Sequence, residues 1–139
     1  MTTRKPQEEV APRKLGRDDI LNAVDIELVE INVPEWGGLV TIKPMNVAQR
    51  DAFEINVSDK DGEVQRKNFR AKLVIRTVVD PESHTRIFKD EDIPALNAKS
   101  AAAVSRVFEA AARASGLSPE DVEKLEGNSN GQADDSSSD

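Results

Sequence analysis

Residues 24–43 read Val-Asp-Ile-Glu-Leu-Val-Glu-Ile-Asn-Val-Pro-Glu-Trp-Gly-Gly-Leu-Val-Thr-Ile-Lys, and this stretch decides the fold. Apolar and polar side chains alternate over residues 24–33, which predicts a strand. The alternation shifts phase after Leu28, which indicates either a bulge or a strand that is apolar on both faces. A Pro-Glu-Trp-Gly-Gly turn follows, and the β-branched residues 39–43 predict the return strand. We therefore expect a β-hairpin that ends at Pro44.

Three helical patterns follow the hairpin, and the first has a clear start. Asn46 is a good N-cap, and Gln49 three residues later completes a capping box. A loop over residues 57–62 should end this helix. Its expected core-facing stripe consists of Ala48, Ala52 and Ile55, with Phe53 beside it.

The two longer helices lie further along the chain. A second helix is predicted over residues 64–79, and a third over residues 99–115. Gly116 should end the third helix, because glycine readily adopts positive φ. The core positions that indicate these helices are Phe69, Leu73, Val78 and Val79 in the second and Val104, Val107, Phe108 and Ala111 in the third.

Shorter elements complete the predicted order, and together they give an α+β fold in which helix dominates. An N-terminal β-hairpin is followed by a mainly helical domain. The short elements are a helical turn at residues 20–23 capped by Asp18 or Asp19, a strand at 86–88, a turn capped by Asp92 with Pro94 inside it, and a last helix started by Ser118 and Pro119.

The 139 residues fit one domain with a tail at each end. Residues 1–17 carry five Lys or Arg against two Glu without an apolar period, and they are predicted to be a flexible basic arm. Residues 18–125 form the single α+β domain. Residues 126–139 hold one apolar side chain and no base, and they are predicted to be a disordered acidic, serine-rich tail.

Charge and composition exclude several classes of function. The net charge is −7 and the pI is near 4.8, which argues against binding to nucleic acid or to an anionic membrane. The apolar runs are too short to span a bilayer, and no apolar segment typical of a secretory signal follows the first residues. The chain has no cysteine, which excludes disulfides and thiol catalysis and suits a cytosolic protein.

The residues that carry catalytic or metal chemistry are sparse. His84 is the only histidine, and its polar neighbours indicate an exposed loop. Residues 57–68 have the glycine of a calcium loop but lack its first Asp and last Glu. The acidic run at 89–92 suits a helix N-terminus. We expect no catalytic residue, no metal and no cofactor. A hydrolase built on the acidic clusters would instead bind divalent cations.

A series of short blocks occurs in order along the chain, at residues 33–37, 50–54, 68–71, 79–80, 87–88, 90–93, 96, 99–100, 106–108, 116–118 and 120–122. Read together, these blocks resemble the tail assembly chaperones of long-tailed bacteriophages. The similarity covers roughly residues 18–125. The chain departs from the pattern at Gln49, where many such proteins have an acid, and at residues 80–84, which form a longer link.

The resemblance implies a non-enzymatic chaperone that acts in the host cell cytoplasm. Such proteins bind the long, helical tape measure protein and keep it soluble until tail tube subunits polymerise around it. They are then released and are absent from the mature virion. The family often makes a longer product by ribosomal frameshifting. The tail tube protein, this longer form and a second copy of the chain are further candidate partners.

Three residues are candidates for partner binding: Trp36, Arg50 and Phe53. Trp36 has two interpretations, an anchor that closes the hairpin or an exposed contact for another chain. Phe53 also has a core interpretation, as do Phe69, Phe88 and Phe108. The helix over residues 99–115 is a candidate groove wall, although ordinary core packing also explains its apolar face. The alternative function is a structural virion component, such as a minor tail or head–tail connection protein.

Overall fold

A three-stranded antiparallel sheet and a set of helices share one core, so the fold is α+β as predicted. The structure is a computed structural model, and it describes residues 11–59, 61 and 67–125. Predictions for residues 1–10 and for the tail at 126–139 lie outside this range. In chain order the elements are α1 Arg17–Asn22, β1 Val29–Val33, β2 Gly38–Ile42, α2 Val47–Asn56, α3 Phe69–Thr77, β3 Val78–Val79, α4 Ile93–Asn97, α5 Ala101–Ala114 and α6 Pro119–Leu125.

The hairpin is present, but its first strand is shorter than predicted. β1 pairs with β2 from Val29 opposite Ile42 to Val33 opposite Gly38. A strand beginning at residue 24 would need partners beyond Ile42, and there Pro44 and the start of α2 turn the chain away. Residues 24–28 therefore lie before the paired part of β1 and form no backbone pairs with β2. The prediction of a strand over 24–33 is wrong for its first half.

α2 begins as predicted but presents an unexpected face to the core. The Asn46 carboxamide accepts the N–H of Gln49 at 2.8 Å, and the Gln49 side chain accepts the N–H of Asn46 at 2.9 Å. Phe53 is the buried residue of the helix. The predicted core stripe, Ala48, Ala52 and Ile55, instead faces solvent. One large ring is enough to dock this short helix, and the alanines contribute little apolar area.

The second predicted helix is interrupted at its end by a strand. α3 stops at Thr77, and Val78 and Val79 form β3, which pairs with Ile42 and Thr41 of β2. β-Branched residues fit a pleated sheet better than a helix, and the open edge of β2 offers backbone partners. Residues 64–66 of the predicted helix lie outside the described range, and α3 begins at Phe69.

The core lies where α3, α5 and the sheet meet. α5 packs against α3 and against β1. The rings of Phe53, Phe69 and Phe108 form a chain with centroid separations of 5.6 and 5.7 Å, in tilted and edge-to-face geometry. The largest fully buried side chains are Phe53, Ile42, Leu73, Ile75, Val33, Val57, Val74, Val107 and Thr77.

The short elements follow the prediction with small changes. Arg86 makes a single β-bridge to Val79 instead of a strand over 86–88. Asp92 occupies the N-cap position of α4 as predicted, but its side chain makes no capping hydrogen bond to that helix; its carboxylate instead accepts the N–H of Lys89 at 2.7 Å. Ser118 and Asp121 cap α6 reciprocally, each at 3.0 Å. Gly116 ends α5 with φ of +83°, as expected.

α1 starts earlier than predicted and stands apart from the core. It begins at Arg17, and the Asp19 carboxylate accepts the N–H of Gly16 at 3.0 Å. None of its six residues is buried. The predicted boundary between arm and domain, at residue 17, therefore lies at the start of α1. This helix does not pack against the core.

Candidate functional site

The turn of the hairpin presents Trp36 at the surface. Residues Pro34–Trp36 form one turn of 3-10 helix, and Gly37 follows with φ of +79°. Proline fixes the entry to this turn, and glycine allows the left-handed exit that a side chain would strain. The Gly37 N–H donates to the Val33 carbonyl at 3.0 Å. The turn therefore holds the indole at the end of the sheet, where it is 36% exposed.

An apolar cleft of about 480 Å³ lies beside the indole, between the hairpin turn and α4. Phe88 is half-buried and Leu96 is nearly buried, so the cleft floor belongs to the core. Charged side chains of both signs stand at the rim. The cleft is lined by Trp36, Phe88, Ala95 and Leu96, with Glu35, Asp92 and Lys99 around them.

An ion pair between Glu35 and Arg106 ties the turn to α5. The hydrogen bond from the Arg106 guanidinium holds the pKa of Glu35 below its usual value. Both side chains are accessible to solvent, so the pair fixes the direction of the turn more than it stabilises the fold.

Arg50 lies at a junction between helices and not in the cleft. Its guanidinium contacts the Glu54 carboxylate at 3.2 Å, the Asp121 carboxylate at 3.8 Å and the Gly116 carbonyl at 3.5 Å. These partners belong to α2, to α6 and to the end of α5. Hydrogen bonds from Ser118 also lower the pKa of Asp121. Within the described residues, Arg50 therefore joins α2 to α6.

Phe53 is a core residue, and its proposed role as a partner contact is corrected by its burial. The side chain is 0% exposed and stacks against Phe69. The charged neighbours that set Phe53 apart in the sequence occupy the outer face of the same helix turn. The structure therefore separates the three candidates: Trp36 is at the cleft, Arg50 at the helix junction and Phe53 in the core.

The candidate groove wall on α5 is largely core as well. Val104, Val107 and Phe108 are buried, as are Ala110 and the two alanines after it. The exposed alanines are Ala101 and Ala102 at the start of the helix. Core packing, the alternative stated for this helix, is therefore confirmed for its apolar face.

The remaining candidates for chemistry stay dispersed. His84 is exposed and takes φ of +61° in the turn after Asp80. The pKa of Asp80 is lowered because its carboxylate accepts the N–H groups of Ser83 and Glu82. In the described part of the chain, no three His, Asp or Glu residues are grouped to hold a metal ion. Nor does any described helix have the length and apolar character to cross a membrane.

Sequence reasoning missed most of the cleft lining. Phe88 was expected in the core, and Ala95 and Lys99 had no assigned role in binding. No local pattern in the sequence links these residues to Trp36. The distance in sequence between Trp36 and these residues hides their contact.

The cleft can bury one or two apolar side chains of a partner, and its mixed rim can pair with charges on either side of them. It contains no pair of groups arranged for nucleophilic or acid–base catalysis in the described residues. Comparison with family models, curated proteins and solved structures finds no match for the chain. The geometry of the cleft and the resemblance of the sequence blocks therefore carry the functional argument.

Proposed function

We propose that this chain is a phage tail assembly chaperone that binds helices of the tape measure protein and keeps them soluble before tail tube assembly. The observation that carries the proposal is the partly exposed Trp36 at an apolar cleft of about 480 Å³. Amphipathic helices bind other proteins by inserting a few apolar side chains into such clefts. The sequence blocks that resemble the chaperone family support the same function.

The shape of the cleft fits a transient contact. Four apolar side chains line it, and each inserted partner side chain would gain roughly 1.5–3 kcal/mol from burial. Part of that gain is offset by the entropy of ordering the partner helix. Several copies on one long helical protein would then hold it firmly, while each copy dissociates when tube subunits compete. A chaperone that is later released needs many contacts with its partner, each of which is weak.

The charge of the chain supports a holding role as well. The net charge of −7 makes complexes of the chain with its partner repel one another, which keeps them soluble. The rim of the cleft holds Glu35, Asp92 and Lys99, so a helix with charges of both signs beside its apolar stripe would be accommodated. Trp36 is the residue in the lining with the largest apolar area, and such residues dominate the binding energy of interfaces.

Co-expression tests the proposal directly. The chain is expressed together with the long, mainly helical protein encoded nearby in the same phage genome, and the soluble fraction of that protein is measured. We expect the wild-type chain to keep it soluble and to co-purify with it. Trp36→Ala should reduce co-purification about tenfold or more, because an aromatic anchor is lost. The helical protein precipitating equally with and without the chain would contradict the proposal.

Leu39→Ala is the matched control for this experiment. Leu39 is an exposed apolar residue of β2 outside the cleft lining, so its truncation should leave co-purification unchanged. Circular dichroism of both variants establishes that each is folded. If Trp36→Ala unfolds the chain, Ala95→Glu on the opposite wall of the cleft blocks the site without removing the indole.

Mass spectrometry distinguishes the chaperone from a structural virion component. We expect peptides of the chain in infected cells and their depletion from purified particles. The same measurement in cells detects a frameshifted longer form by peptides that continue beyond the shared sequence. A stoichiometric amount in mature particles would favour the minor tail or connection protein instead.

A further inference from the structure

The outward face of α3 is basic, although the chain as a whole carries a net charge of −7. Six of the nine side chains of α3 are buried, and the three that reach the surface are all cations: Arg70, Lys72 and Arg76. Lys72 and Arg76 lie one turn apart on the same side of the helix, and like charges at this spacing repel. An acid at one of these two positions would stabilise the helix, so the basic face indicates an anionic partner.

Arg86 adds a second guanidinium beside that of Arg76. Its Nε–H donates to the Ile75 carbonyl at 2.8 Å, and an N–H of Arg76 donates to the Lys72 carbonyl at 3.1 Å, so both groups lie along the C-terminal half of α3. Arg76 also lies over the Phe53 ring, 5.9 Å from its centroid. These contacts fix the positions of the two guanidinium groups without any partner.

The two guanidinium groups keep unused hydrogen-bond donors. Each has five N–H groups, and within the described residues Arg76 uses one of them and Arg86 two, the second to the Phe88 carbonyl at 3.5 Å. Neither arginine forms an ion pair in this part of the chain. Partial burial and the charge of Arg86 lower the pKa of Arg76, and Asp90 only partly opposes this shift. A bound carboxylate would relieve the repulsion and accept the unused donors.

Residues 126–139 carry acidic side chains and no basic one. The acids are Glu126, Asp134, Asp135 and Asp139, and the segment contains no Lys, Arg or His. Asp134 and Asp135 are adjacent, so they can serve two guanidinium groups held side by side. Each carboxylate can accept two parallel N–H bonds from one guanidinium. The segment and the basic face are therefore complementary in charge.

The segment begins close enough to the two arginines to reach them. It follows α6, whose Asp121 carboxylate lies 3.8 Å from the Arg50 guanidinium of α2. Phe53, the ring beneath Arg76, is three residues further along α2, a rise of about 5 Å. The chain from the end of α6 to residue 134 can span about 30 Å when extended. The aspartates can therefore meet the guanidinium groups of their own chain.

We propose that residues 126–139 dock on the basic face of α3 in the same chain, with Asp134 and Asp135 bound by Arg76 and Arg86. The contact closes a loop within one copy, so it forms at any protein concentration and weakens as salt screens the charges. It uses neither Trp36 nor the lining of the cleft, and it does not depend on the proposed function. An acidic segment of another protein would have to displace residues 126–139 before it could bind here.

Paramagnetic relaxation in the full chain tests the contact, and the chain suits it because it contains no cysteine. A nitroxide is attached to Ser136→Cys, beside the two aspartates, and its effect on backbone amides is measured by NMR. We expect strong relaxation enhancement at Arg76 and Arg86. Combining Arg76→Gln with Arg86→Gln should lower the enhancement at these positions about threefold, because two partly exposed ion pairs are lost.

Arg113→Gln is the matched control. Arg113 is an exposed cation of α5 that makes no ion pair within the described residues, and it is nearer to the segment in sequence. A non-specific attraction would respond to its loss, whereas the proposed contact should not. If the arginine variant does not fold, Asp134→Asn combined with Asp135→Asn should give the same decrease.

Three results would overturn the proposal. The first is equal enhancement in the parent chain and in the arginine or aspartate variants. The second is an equal decrease in Arg113→Gln. The third is an enhancement that passes from spin-labelled copies to isotope-labelled copies in a mixture, since the segment would then bind a second chain.

Discussion

Helices α2 and α5 both carry an apolar stripe with one phenylalanine, but they have opposite relations to the core. Each carries one phenylalanine and at least two alanines, yet α5 buries seven of its 14 residues and α2 buries one of ten. α5 lies between β1 and α3, so every side of its apolar stripe meets a neighbour. α2 follows the sheet at its end and docks through Phe53. An apolar pattern alone therefore does not decide whether a helix face is buried; the neighbours that the fold brings to that face decide it.

The first prediction concerns the anchor of α2 and has the largest expected effect. Phe53→Ala should lower the free energy of unfolding by about 3–5 kcal/mol, because it empties a fully buried site in the aromatic chain. Ile55→Ala on the same helix should stay within about 0.5 kcal/mol in dilute protein. Urea unfolding followed by circular dichroism measures both, and Phe53→Leu serves if the alanine variant does not fold. Equal losses would contradict the assignment of faces.

The second prediction compares alanines on the two helices. Ala111→Leu should destabilise the fold by about 1–3 kcal/mol, because Ala111 is fully enclosed and the added carbons have no room. Ala52→Leu should change stability by less than about 0.5 kcal/mol, since that side chain projects into solvent. Thermal unfolding of the pair gives the comparison. A larger loss at Ala52 would mean that α2 is the more enclosed helix.

The third prediction concerns the two N-caps. Asn46→Ala and Ser100→Ala should each cost about 1 kcal/mol, since each removes a side-chain acceptor for a backbone N–H of its helix. The loss should appear locally in α2, as faster amide exchange there alone. In α5 it should appear in global unfolding, because that helix opens only with the core. Identical exchange patterns would show that α2 is as cooperative as α5.

The fourth prediction tests the link between α2 and α6. Arg50→Ala should cost about 0.2–1 kcal/mol, because its contacts with Glu54 and Asp121 are partly exposed. The difference from wild type should shrink at high salt, where such pairs are screened. Denaturant titration at two ionic strengths measures it. Lys72→Ala is the control for loss of a positive charge, because this half-buried side chain of α3 donates to the Asn56 carbonyl at 3.5 Å but makes no ion pair within the described residues.

The fifth prediction has the smallest expected effect and concerns the ion pair between Glu35 of the hairpin turn and Arg106 of α5. Arg106 lowers the pKa of Glu35 in the folded chain, so this stabilisation is present above the usual pKa near 4.5 and is lost as the pH falls through the folded value. Glu35→Gln should therefore flatten the acid side of the stability curve, because it removes a small stabilisation at neutral pH while the two curves converge as the pH falls. Thermal unfolding between pH 3 and 7 is the measurement; these values bracket the usual glutamate pKa. If Glu35→Gln leaves the acid side of the stability curve unaltered, the pH dependence of stability arises from other groups.

Local signals predicted the fold well where the structure depends on neighbours in sequence. The capping box at Asn46, the turn at Trp36 and the end of α5 at Gly116 were predicted from residues within a few positions of each other. Periodicity also identified the buried face of α5. Each of these features is fixed by backbone hydrogen bonds or by φ preferences that act over a single turn.

The failures involve partners distant in sequence. Val78 and Val79 continue the helical pattern, and only the free edge of β2 turns them into a strand. Residues 24–28 have a strand pattern, but among the described residues no strand lies opposite them. Of the candidate contact residues, Phe53 is buried for the same reason, because its ring packs against Phe69 from a later helix. The wall of the cleft opposite Trp36 comes from some 50 residues later, which no local pattern reveals.

The direct junction of α3 and β3 limits how this chain can evolve. Thr77 ends the helix and Val78 begins the strand, with no loop residue between them. The Lys43 N–H donates to the Thr77 carbonyl at 2.8 Å, which fixes the register of the junction on the sheet. One inserted residue would rotate α3 by about 100° against its neighbours or exchange the two faces of β3. We therefore expect homologous sequences to carry no insertion or deletion between Thr77 and Val78.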